Sequence, residues 1–134
     1  MKRRIRLALE HLLYRKEESV YAERPREGFR VMTYNVRCDA EADGVHNWRY
    51  RRRSVVDVIR GELPTILCCQ ELYGNQYRYL MSELSGYDSY GVSAADGRAL
   101  EKGMKTYGLC IFYDDRYTLV DKGCLWLSDT PHKP

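Results

Sequence analysis

The residues that could do chemistry in this chain stand at the ends of two predicted strands. The short apolar run 64–69 is closed abruptly by Gln70 and Glu71, and such a run is typical of a strand buried on both faces. Asn35 ends another predicted strand. Because ligands of α/β proteins collect at the carboxyl ends of strands, we expect Glu71 to face a bound cation, with help from Asn35.

Each of these residues also has a simpler interpretation. Glu71 could be an exposed acid at a strand end, and Asn35 could be a turn residue that follows a strand. Neither His11 nor His46 has triad partners at a recognisable spacing. The sequence therefore gives no support to a Ser/His/Asp or Cys/His nucleophile.

The elements around this pair are predicted to alternate between strands and helices. The predicted strands span 29–36, 65–69, 87–92, 107–113 and 117–126, and the predicted helices span 48–61 and 75–84. The last two strands would form a hairpin. This order predicts an α/β or α+β layered sheet with helices on one face.

The first 27 residues are predicted to be a separate segment. Apolar residues recur at helical spacing across 4–22, between Arg and Glu residues, and Pro25 and Gly28 mark a break. We expect a basic amphipathic helix and linker at 1–27, followed by one domain at 28–134. Such a helix could also lie on an anionic membrane surface.

Composition excludes several classes of protein. The chain of 134 residues is 44% hydrophobic, which allows one domain with its own core. A net charge of +3 is small for a dedicated nucleic-acid binder. The 5 cysteines show no CxxC spacing, so free thiols are favoured over a zinc site. With no transmembrane or signal-peptide pattern, we expect a cytoplasmic protein.

Five motifs in order resemble the endonuclease/exonuclease/phosphatase superfamily of metal-dependent phosphoesterases. The resemblance covers residues 29–134 and is strongest to bacterial members with a late Trp-Leu-Ser-acid-Thr-Pro motif. The motifs are Thr33-Tyr34-Asn35-Val36-Arg37, Asn47-Trp48-Arg49-Tyr50-Arg51-Arg52, the run 64–71, Ile111-Phe112-Tyr113 and Trp126-Leu127-Ser128-Asp129-Thr130-Pro131. The resemblance implies a partial four-layer α/β/β/α sandwich of the DNase I-like kind, with an N-terminal helical extension.

The resemblance also implies roles for three residues. In this family the strand-end Asn and the Glu of the Gln-Glu pair bind Mg²⁺, which places Asn35 and Glu71 at the metal. The helix arginine corresponds to Arg51 and implies a supporting role, although a solvated helix charge is the ordinary interpretation. Magnesium prefers hard oxygen ligands and often takes only one or two carboxylates, and it polarises phosphoryl oxygens.

The sequence departs from the family in its later part. The family uses an Asp/Asn pair, a further Asp and a late catalytic His beyond the matched region, and His132 lies outside that context. Thr65 replaces an acid that usually precedes the apolar strand. We therefore expect the N-terminal half of a phosphodiesterase or nuclease-type hydrolase that is inactive alone, binds Mg²⁺ weakly or not at all, and could be completed by a second chain.

The alternative hypothesis is a non-catalytic interaction module. It would bind an acidic partner through the basic N-terminal helix and the arginine cluster, which consists of Arg49, Arg51, Arg52 and Arg53. The substrate class stays open among nucleic acids, sugar phosphates, inositol phosphates and lipids.

Overall fold

The computed structural model describes residues 27–101 and 104–130, and it contains a sheet covered by helices. The strands are β1 (Val31–Asn35), β2 (Ile66–Leu72), β3 (Tyr87–Ser93) and β4 (Gly108–Asp114), and the helices are a 3₁₀ helix (Glu41–His46), α1 (Trp48–Glu62) and α2 (Gly74–Glu83). No helix in the described ranges is long and apolar enough to cross a membrane. The predicted helix at 4–22 and His132 lie outside the described residues, so the division at 1–27 stays a prediction.

The sheet has the strand order β1-β2-β4-β3. β1 and β2 are parallel, and their register places Asn35 opposite Gln70. The other two pairings, β2 with β4 and β4 with β3, are antiparallel. α1 connects the parallel pair, so the carboxyl ends of β1 and β2 and the amino end of α1 lie at one end of the domain. This mixed α/β architecture confirms the predicted fold class.

The core lies between the two helices and one face of the sheet. β2 and β4 contribute Leu67 and Phe112, and the helices contribute Val56, Ile59 and Leu80, all at most 2% exposed. Full burial of such a side chain stabilises the fold by about 1.5–3 kcal/mol. The side chain of Asn47 accepts a hydrogen bond from the Arg49 backbone N–H and caps α1, which fixes where this helix begins.

The second face of the sheet is open, contrary to the prediction that β2 is buried on both faces. Along β2, Leu67 and Cys69 are buried while Cys68 is only half-buried. On the neighbouring strands of this open face, Val31 is 63% exposed and Ile111 is 45% exposed. The prediction failed because an apolar run has the same composition whether or not a second layer covers it. The described residues thus form one sheet with helices on one of its faces.

The predicted returning strand at 117–126 is wrong. The chain turns at 115–117 and then continues without strand pairing. The physical reason is that β4 has no free edge, since β2 pairs with one side and β3 with the other. The segment instead lies near β3, where Lys122 Nζ sits 5.1 Å from the centre of the Tyr90 ring.

Candidate metal centre

Asn35 and Glu71 meet at the carboxyl ends of β1 and β2. The Asn35 side-chain amide donates a hydrogen bond of 2.9 Å from Nδ2 to Oε1 of Glu71. Asn35 Oδ1 accepts a hydrogen bond of 2.9 Å from the Arg37 backbone N–H, and a carbonyl oxygen retains a second lone pair. The structure therefore brings together the two oxygen-bearing side chains that the sequence singled out.

A bulge at the end of β2 makes this meeting possible. Asn35 lies opposite Gln70, so regular alternation would place the Glu71 side chain on the other face of the sheet. The register shifts between Gln70 and Leu72, and Glu71 adopts a φ of 62°. For a residue other than glycine this conformation costs on the order of 1–3 kcal/mol. The bulge turns the carboxylate toward Asn35.

One oxygen of this carboxylate has no hydrogen-bond partner. Within the part of the chain that the structure describes, Glu71 Oε2 is buried and accepts no hydrogen bond, although the side chain as a whole is 33% exposed. The nearest cation is Arg37, whose Nη1 lies 4.0 Å from Oε2. A buried polar atom without a partner costs about 1–3 kcal/mol. A hard carboxylate oxygen that accepts no hydrogen bond, on a side chain in contact with Asn35, fits a magnesium ligand set.

Arg37 is directed mainly toward Asp43 rather than toward Glu71. Its Nη2 lies 3.0 Å from Asp43 Oδ1 and its Nε lies 3.2 Å from Oδ2. This fork-shaped pair lowers the pKa of the Asp43 carboxyl and raises the pKa of Arg37. Neither residue is predicted for the site from the sequence, although Arg37 closes the first motif. Because the positive charge of Arg37 is shared between Asp43 and Glu71, it neutralises the Glu71 carboxylate only in part.

Arg51 supports the loop that follows β1. It donates hydrogen bonds of 3.0 Å to the carbonyl oxygens of His46 and Cys38, and it also bonds the carbonyls of Val36 and Arg37. Burial lowers the pKa of Arg51. These hydrogen bonds reach the loop backbone and not the side chains of the central pair.

A cavity of about 410 Å³ opens beside Asn35, between β1 and helix α1. Its lining includes Asn35, Arg37, His46, Arg51 and Ser54. The cavity therefore places charged and polar groups next to Asn35, whereas Glu71 is not among its lining residues. No group of three or more His, Cys, Asp or Glu side chains suited to a metal occurs within residues 27–101 and 104–130.

The rest of the arginine cluster faces solvent. Arg49, Arg52 and Arg53 are exposed, and none has a carboxylate within ion-pair distance among the described residues. The Arg49 guanidinium lies 4.4 Å from the centre of the Tyr50 ring, and that of Arg52 lies 4.9 Å from the Tyr79 ring. Stacking of this kind orders an arginine without neutralising it.

Comparisons with known proteins agree on one superfamily. No family model matches the chain. The CCR4-Not complex 3'-5'-exoribonuclease subunit Ccr4 of Emericella nidulans is 30% identical over 115 residues, which covers 75% of this chain and 17% of the relative. The Ccr4 subunit of Aspergillus niger is 27% identical over 121 residues, covering 79% of this chain and 18% of the relative.

Solved structures resemble the described fold directly. An endonuclease/exonuclease/phosphatase from Bacteroides vulgatus superposes with a TM-score of 0.65 at 27% identity. A mannosyl-6-phosphatase from Bacteroides thetaiotaomicron superposes with a TM-score of 0.67 at 28% identity. Each match covers 78% of this chain and 39% of the solved chain. The chain belongs to the endonuclease/exonuclease/phosphatase superfamily, and it spans less than half the length of these relatives.

Proposed function

We propose that this chain is the N-terminal portion of a Mg²⁺-dependent phosphoesterase, in which Asn35 and Glu71 are its contribution to the metal site. The observation that carries the proposal is the pairing of these side chains at a strand end, with Glu71 Oε2 buried and without a hydrogen-bond partner among the described residues. When bound, Mg²⁺ would polarise the phosphoryl oxygens of a substrate. Arg51 holds the loop beside the pair and acts as a support.

We propose further that this portion does not turn over substrate alone. Its described residues offer two oxygen side chains and no cluster of further metal-ligating groups. Hydrolysis also needs a base that orients water and donors that stabilise developing charge. In the solved relatives, 61% of the chain lies outside the match, since 39% is covered. Two ligands alone predict weak binding of a divalent cation by this chain.

The open face of the sheet is the place where the rest of the domain would pack. Val31, Leu109 and Ile111 are 63%, 50% and 45% exposed on neighbouring strands of this face. Sheets that pack face to face bury such rows in a layer about 10 Å thick. A further segment, or a second chain, that supplies a matching sheet would cover the face and bring the missing groups to the cavity beside Asn35.

The proposal is tested by complementation. The 134-residue chain and a separately produced C-terminal remainder of the Bacteroides vulgatus relative are mixed with Mg²⁺ and bis(p-nitrophenyl) phosphate. We expect turnover by the mixture and none by either part. Glu71→Gln should abolish it, while the matched change Asp88→Asn, at the opposite end of the sheet, should not. Turnover by the isolated monomeric chain, or restored turnover that ignores Glu71→Gln, would contradict the proposal.

The chemical class of the substrate follows from the relatives only as far as a phosphoester. One relative carries the name of an exoribonuclease and another that of a mannosyl-6-phosphatase. We propose that this chain takes part in hydrolysis of a phosphoester of one of these kinds.

A second candidate function rests on the exposed arginines. The lack of carboxylate partners for Arg49, Arg52 and Arg53 among the described residues favours binding of an acidic partner without catalysis. Binding driven by phosphate contacts weakens steeply with added salt. Binding of single-stranded RNA or anionic vesicles that is absent, or insensitive to salt between 50 and 200 mM, argues against this candidate.

We also propose a reducing, cytoplasmic location. All five cysteines are free, and Cys69 and Cys110 face each other across β2 and β4 without a disulfide. Burial raises the pKa of the Cys69 thiol to about 12, so the thiol stays protonated and unreactive at neutral pH. Alkylation of cell extracts followed by mass spectrometry should find these thiols reduced, and a disulfide there would contradict the location.

A further inference from the structure

We infer that Gln76 is a positioning residue that sets the spacing between Asn35 and Glu71. This inference deepens the proposed metal site and rests on it for its functional meaning, although the geometry can be tested without metal. Gln76 lies in the first turn of α2 and is 0% exposed. No role for Gln76 at the site is predicted from the sequence.

The side chain of Gln76 joins the two segments that follow the strands carrying Asn35 and Glu71. Its Oε1 accepts hydrogen bonds from the backbone N–H of Tyr73 at 2.9 Å and of Asp39 at 3.0 Å. Its Nε2 donates a hydrogen bond of 2.8 Å to the carbonyl oxygen of Arg37. Tyr73 follows Glu71 by two residues and Arg37 follows Asn35 by two residues. One buried amide therefore fixes both chain segments immediately beyond the proposed ligands.

Both segments need such a restraint because each contains a strained bend. Arg37 has a φ of 56° and Glu71 has a φ of 62°. Non-glycine residues keep this conformation only where surrounding contacts hold it. The Arg37 backbone is held at its N–H by Asn35 and at its carbonyl by both Gln76 and Arg51. Loss of Gln76 would let both bends relax, and the ligands would then separate.

A simpler role for Gln76 is to cap α2. Glutamine or glutamate at the third helical position commonly accepts a hydrogen bond from the N-cap N–H, which is the contact with Tyr73. Gln76→Glu keeps both acceptor contacts and therefore the cap, but an ionised carboxylate cannot donate to the Arg37 carbonyl. Gln76→Leu removes all three hydrogen bonds. The two variants separate capping from bridging.

The first measurement uses the 134-residue chain without metal. The NMR signal of the Asn35 side-chain amide reports its hydrogen bond to Glu71, and Glu71→Ala defines the unbonded position. We expect Gln76→Glu and Gln76→Leu to move the signal through most of the difference between wild type and Glu71→Ala. The control is Thr65→Val at the other end of β2. It removes the partly buried hydrogen bond of 3.1 Å that Thr65 Oγ1 accepts from the Arg30 backbone N–H. It should leave the signal in place.

The second measurement titrates Mn²⁺ as a paramagnetic probe. The apparent dissociation constant at Asn35 should rise roughly 10-fold in both Gln76 variants, as for other residues that orient metal ligands, and should not change in Thr65→Val. Folding of each variant is checked by thermal unfolding. If Gln76→Glu folds but leaves both the Asn35 signal and the Mn²⁺ constant at wild-type values, Gln76 only caps the helix and the inference is overturned. If wild type shows no Mn²⁺ effect while the metal-free shifts occur, the proposed function fails and the positioning role stands.

Discussion

Glu71 combines two features that lower stability, a left-handed φ and a buried oxygen without a hydrogen-bond partner among the described residues. Residues that carry such costs cluster at functional sites, where the surrounding structure holds them in place. Asn35 is the counterpart, since its amide satisfies one of the two carboxylate oxygens. The arrangement leaves Glu71 Oε2 available to a cation. The proposed half-site depends on this available oxygen.

The left-handed backbone at Glu71 predicts a difference in stability between two substitutions. Glu71→Gly and Glu71→Ala both remove the carboxylate, but only glycine adopts a φ of 62° without steric cost. We expect Glu71→Gly to be about 1 kcal/mol more stable than Glu71→Ala, as measured by urea denaturation. Equal stabilities would show that the backbone at this residue is not strained.

At the scale of the elements, helix α1 and the loop after β1 form one unit through Arg51. The planar guanidinium donates to the carbonyls of residues 36, 37, 38 and 46, which a single ammonium group cannot reproduce. The α1 cap at Asn47 is linked to the same loop, since Asn47 Nδ2 donates to Asp39 Oδ1 at 3.1 Å. These hydrogen bonds therefore hold the loop after β1 in a fixed position beside the carboxyl ends of β1 and β2.

The contacts of Arg51 lead us to expect different losses of stability when Arg51 and its neighbour Arg52 are each replaced by lysine. Arg51→Lys should lower the free energy of unfolding by about 1–3 kcal/mol, because several backbone carbonyls, some of them partly buried, lose their donors. Arg52→Lys, at an exposed position stacked on Tyr79, should change it by less than about 0.5 kcal/mol. Chemical denaturation of both variants measures the difference, and comparable losses would contradict the bracing role of Arg51.

The elements also show which parts of the site could be predicted from the sequence. Helix α1 follows from its apolar spacing and from Asn47, and the pairing of Asn35 with the end of β2 follows from the order of strands. The turn at Glu71 could not be predicted, because no glycine marks the bulge. Gln76 carries only a local capping signal, while two of its partners lie 37 and 39 residues away. A strand at 117–126 was wrongly predicted because the residue pattern of a segment does not reveal whether the edge of the strand it would pair with is free. Here β4 is already paired with β2 and β3.

At the scale of the whole molecule, the described sheet is covered by helices on one face and open on the other. Exposed apolar rows of this kind mark surfaces that another layer covers. The solved relatives match this chain over 39% of their length with TM-scores of 0.65 and 0.67, so the described layers correspond to part of a larger sandwich. Asn35 and Glu71 lie at one end of the sheet, where we propose that a second sheet would add its own groups.

The most direct test of the account is an NMR titration of the 134-residue chain with Mn²⁺. We expect selective broadening that begins at the Asn35 side-chain amide and the Glu71 backbone, and that is lost in Glu71→Gln but kept in the matched variant Asp88→Asn. Broadening that is absent, that centres on Asp43 or Asp88 instead, or that survives Glu71→Gln would contradict the claim that Asn35 and Glu71 form a divalent-cation half-site.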